Sequence, residues 1–155
     1  MAGDFEKLAY EEAVRGLDKQ EALLEALRAR TGVLMAASFL AASLLGQQAF
    51  QDSGPQGLAI AAVVAFVVSI GAGVFILLPK TNLVFAAAAA DFYEGFYDFR
   101  SDMTEVYRRL AYDVDHLWDS NEREIRRLSW TFVLAAGSFV IEVVSWAILI
   151  GDGIL

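Results

Sequence analysis

Residues Leu58 to Leu78 read LAIAAVVAFVVSIGAGVFILL, a run in which nothing is more polar than a serine. A helix rises ~1.5 Å per residue, so a run of this length matches the roughly 30 Å hydrocarbon layer of a bilayer. Two further apolar runs flank it, Thr31 to Phe50 and Leu128 to Ile150. The spacing predicts an all-α integral membrane protein with three transmembrane helices and long cytoplasmic helical extensions. Four segments follow: a cytoplasmic amphipathic helix over 1–30, a transmembrane hairpin of two spans over 31–78, a charged cytoplasmic helix over 79–127, and a third span with an external C-terminus over 128–155.

Orientation follows from the twelve Lys and Arg. All of them precede the first span or fall between the second and third, from Lys7 to Arg30 and from Lys80 to Arg127. Lys and Arg near span ends set topology while acids contribute little, so the N-terminus is expected inside and the C-terminus outside. The net charge of -8 leaves no basic patch for a nucleic-acid polymer. With no cysteine, thiolate catalysis and thiolate metal sites are excluded together.

From Phe5 to Arg30 the pattern is an amphipathic helix with Tyr10, Val14, Leu17, Leu24 and Leu27 near one face. Nothing before the lipid ends it, so continuation into the first span is expected, with Gly16 as its weak point. Gly54 and Pro55 supply the external turn. In the second span Ala61, Ala65, Ser69 and Gly73 recur every four residues, a strip that lets helices approach closely in lipid. Whether it meets another span or another copy is open at this point. Pro79 ends the span, and Thr81 and Asn82 suit a helix restart.

Over 83–120 the apolar spacing alternates four and three, through Phe92, Phe96, Phe99, Met103, Val106 and Leu110, with Val114 and Leu117 roughly in phase. That is a coiled-coil-like seam for homo-oligomers. Beside it Asp91, Glu94, Asp98, Asp102 and Glu105 form an acidic stripe, either a solvated face or one that asks for cations. Asn121 with Glu124 three residues on resembles a capping box, predicting a new helix start before the third span.

Glu142 stands a little beyond the middle of the third span, where an ionised carboxylate costs at least ~2.5 kcal/mol. Thr131, Ser138, Glu142 and Ser145 share a face, as a pore lining or as interhelical contacts. His116, with Asp113, Asp115 and Asp119 near it, lacks the second-helix ligands a metal would need. No nucleophile motif or phosphate loop is present, so neither an enzyme nor a cofactor is expected.

The order of parts, with ARTGVLMAASFLAASLLG at the first span, LLPK closing the second and NEREIRRLSW entering the third, resembles the transmembrane effector modules of Pycsar anti-phage systems and, further off, SLATT membrane effectors. It is also similar to short actinobacterial membrane proteins carrying this module alone. The resemblance implies a homo-oligomeric effector in the bacterial inner membrane that impairs membrane integrity during infection, responding to a cyclic nucleotide signal or a partner protein. The chain departs from nucleotide sensors in showing no β-rich nucleotide-binding fold. Two other readings come from the residues: a non-catalytic scaffold or accessory subunit, and a small cation channel or transporter subunit using Glu142.

Overall fold

In a computed structural model the described residues are 2–49, 56–80, 83–85 and 103–154, excluding the side chains of 2–4, 48–49 and 152–154. Nearly all are helical: α1 is Ala2–Ala49, α2 is Gln56–Leu77 and α3 is Met103–Ile154. The fold is all-α, and three helices are long and apolar enough to cross a membrane.

α1 runs unbroken from the charged segment into the apolar one because no proline interrupts its Ala-, Leu- and Glu-rich sequence. Gly16 does not break it. A Cβ there would stand 3.3 Å from the Trp118 ring, so the missing side chain lets the indole of α3 lie against the α1 backbone. α2 closes on a last turn in which the Leu78 amide donates to the Val74 carbonyl at 3.0 Å, and Pro79 follows.

α3 corrects the expected restart at Asn121. The helix passes through Ser120 and Asn121 without interruption. A capping asparagine folds back onto its own helix, whereas Asn121 is 1% exposed and spends its amide elsewhere. Its Nδ2 donates to the Val84 carbonyl at 2.8 Å and its Oδ1 accepts from the Val84 amide at 3.2 Å. The side chain thus satisfies both backbone polar groups of Val84, and pins 83–85 onto α3.

The chain divides into two compact units. Unit 1 comprises 1–25 and 80–126, and unit 2 comprises 26–79 and 127–155. In unit 1 the Tyr10 and Tyr107 rings meet at 5.9 Å between centroids, and the buried Gln20 donates through Nε2 to the Trp118 carbonyl at 3.0 Å. Leu17, Leu24, Val106, Leu110 and Val114 are buried. Each such burial contributes ~1.5–3 kcal/mol relative to exposure.

In unit 2 the segments of α1, α2 and α3 pack together with their polarity inverted relative to a water-soluble domain. The buried side chains include Thr31, Ser38, Ser69, Ser138, Glu142 and Ser145. Val33, Leu40, Ile60, Val67, Leu134 and Ile141 are exposed. In water that surface would be unfavourable, while in lipid it is the expected one, and polar groups turned inward find partners on neighbouring helices. One end of the core is an apolar cluster of Ala62, Trp146 and Leu149.

Candidate functional site

The polar layer of unit 2 is built by one serine from α1, one from α2 and a glutamate from α3. Ser38 and Glu142 are both 0% exposed, and their Oγ and Oε2 lie 2.5 Å apart. Ser38 Oγ is also 3.5 Å from Ser69 Oγ. Glu142 Oε1 is buried and has no hydrogen-bond partner. Ser69 belongs to the small-residue strip of α2, and Glu142 to the strip of α3 that carries Ser138 and Ser145.

Around this layer the helices approach closely. A Cβ on Gly73 would fall 2.7 Å from both Cγ and Sδ of Met35, and 3.5 Å from Thr31 Cγ2. The α2 strip therefore meets α1 of the same chain. Its buried members are Ala65, Ser69 and Gly73, while Ala61 is only half-buried and Ala62 is fully enclosed instead. Ala62, the residue after Ala61, packs with Trp146 and Leu149 in the apolar cluster. Thr131 is half-buried and donates to the Arg127 carbonyl of its own helix at 2.9 Å. Above it, Arg127 lies over the Phe75 ring, 5.3 Å from the centroid.

The seam behaves differently from a surface waiting for a second copy. Val106, Leu110 and Val114 are already buried in the single chain, and Met103 is 52% exposed at the start of α3. Of the described seam residues, Val106 and Leu110 thus pack within the single chain, while Met103 stays exposed. Phe92, Phe96 and Phe99 lie outside the described residues, as do Asp91, Glu94, Asp98 and Asp102 of the acidic stripe, the turn at Gly54 and Pro55, and Thr81 and Asn82.

Glu105, the described member of that stripe, finds cations within its own helix. Arg108 Nη2 stands 2.7 Å from its Oε2 and Arg109 Nε 2.8 Å from its Oε1. The Arg108 hydrogen bond, then that of Arg109, holds this carboxyl below its ordinary value. Among the described residues no group of three or more His, Cys, Asp or Glu could hold a metal ion. His116 lines a shallow cleft with Asp119, Ser120 and Arg123, all from one face of α3.

No family profile, curated protein or solved structure matches the chain.

Gln20, Asn121 and Ser38 were not singled out by sequence as buried. Gln20 carried a signal, since it falls between Leu17 and Leu24 at helical spacing on the apolar face. Asn121 carried one that points equally well to a cap. Ser38 had none beyond its place in an apolar run.

Proposed function

We propose that the chain crosses a bacterial cytoplasmic membrane three times, N-terminus inside and C-terminus outside, and acts on that membrane as a non-enzymatic effector of anti-phage defence. The observation that carries this reading is the inverted polarity of unit 2, an apolar coat over a buried layer of Ser38, Ser69 and Glu142. A bundle that hides a carboxyl and hydroxyls under such a coat has a stored means of breaching lipid: when several copies associate and helices exchange partners, the polar layer turns toward a shared, hydrated interior. Homo-oligomers form through the apolar coat of unit 2, since the described part of the seam is occupied. The likeness to Pycsar and SLATT modules supports the defence setting, with a cyclic nucleotide signal or a partner protein as trigger.

A second reading, a scaffold or accessory subunit, is favoured by one fact: Val106, Leu110 and Val114 are closed without a second chain. The cation-channel reading has less support, because Ser138, Glu142 and Ser145 are buried among helices of their own chain. Induced expression in cells loaded with a membrane-potential dye separates the first two. An effector depolarises the cells within the induction period. A scaffold, shown by fractionation to be in the membrane at the same level, leaves the potential intact.

A further inference from the structure

We propose that unit 2 is a proton-binding site: the closed three-helix arrangement holds one proton between Glu142 and Ser38. The inference stands apart from the effector reading.

Three observations converge. The first is the lack of a counter-charge. α2 contains no ionisable residue, and in unit 2 the basic residues are Arg28, Arg30 and Arg127. Arg127 is ~22 Å along α3 from Glu142, while Arg28 and Arg30 precede Ser38 on α1 by about 15 and 12 Å. The other acid on α3 in this unit, Asp152, is ~15 Å away and has the wrong sign to help. A carboxylate at 0% exposure, with no cation in reach among the described residues of unit 2, is left uncompensated.

The second is hydrogen-bond arithmetic. An ionised carboxylate accepts at up to about four sites, and buried ones draw on several donors. Among the described residues Glu142 has one hydrogen-bond partner, Ser38, and none on Oε1. A neutral acid fits that environment. With the acid neutral, the 2.5 Å contact that an ionised Glu142 would accept from Ser38 reverses: an Oε2 hydroxyl donates to Ser38 Oγ, Ser38 is freed to donate toward Ser69 Oγ at 3.5 Å, and Oε1 becomes a carbonyl oxygen, the group that tolerates isolation best. Donation runs one way through three helices.

The third is the separation itself: Ser38 Oγ and Glu142 Oε2 lie 2.5 Å apart, the spacing of a short hydrogen bond with one proton between two oxygens.

The full-length protein in ester-free detergent micelles at mildly alkaline pH, studied by infrared spectroscopy, tests the proposal. Exposed carboxyl groups are ionised there and absorb elsewhere. The expected spectrum contains a carboxylic C=O stretch that is lost completely in Glu142→Gln and moves to higher frequency in Ser38→Ala, where its hydrogen-bond acceptor is gone. The band in the unmutated protein and its movement in S38A decide the matter even if E142Q does not fold. A spectrum without such a band in the unmutated protein, or one in which the band survives E142Q in a folded chain, overturns the proposal.

Discussion

Ser38 is the partner on which Glu142 depends, so its removal is felt at a carboxyl that has no other. Ser38→Ala is expected to destabilise unit 2 by about 1–3 kcal/mol, the cost of stranding a buried polar group, measured as a shift in unfolding by denaturing detergent. Gly73 is the steric counterpart. Alanine there displaces Met35, whose side chain is flexible, whereas Gly73→Val drives a branched group into contacts that a single Cβ already makes at 2.7 Å. The valine variant should cost ~1–3 kcal/mol and the alanine variant less, in the same assay. Outside the apolar segments, Glu105 makes a pH prediction. Its carboxyl is held below the ordinary value by Arg108 and then Arg109, so its stabilising contribution is present above the unfolded value and is lost as pH falls through the lowered one. A carboxyl NMR titration should show Glu105 titrating below a typical glutamate, and returning toward it in Arg108→Ala.

At the scale of elements, the long helices were legible, while two boundaries were not: 83–85 are not helical, and the helix runs on through Asn121. The hydropathy of Leu58 to Leu78 and the lack of any breaker before Thr31 account for α2 and for the length of α1, because both are properties of local sequence. Asn121 misled for a physical reason: an asparagine before a glutamate is equally suited to capping its own helix and to holding another backbone, and only tertiary structure decides. The same ambiguity explains the seam, whose period is a property of α3 while its partner is not. The clamp can be tested directly. In Asn121→Leu both bonds to Val84 are lost, so the Val84 amide should exchange hydrogen at least several-fold faster, with a stability cost of about 1–3 kcal/mol. Asn121→Asp keeps the acceptor for the amide but sets a second oxygen against the Val84 carbonyl, and is expected to fall on the same side as leucine.

For the whole molecule, the distribution of charge and the polarity of unit 2 point the same way. The basic residues fall before the first apolar run and between the second and third, and the bundle formed by those runs keeps its serines and Glu142 inside. The apolar coat of unit 2 suits lipid better than water, and the proposed three-span topology would put every basic residue on one side. Because the sequence has no cysteine, single cysteines introduced at Lys19, Asp52, Arg108 and Asp152 report on sidedness without background. A membrane-impermeant maleimide applied to intact spheroplasts should label Asp52→Cys and Asp152→Cys and leave Lys19→Cys and Arg108→Cys unlabelled until the membrane is opened. Labelling of Arg108→Cys from outside, or equal labelling at Lys19→Cys and Asp152→Cys, would contradict the three-span arrangement.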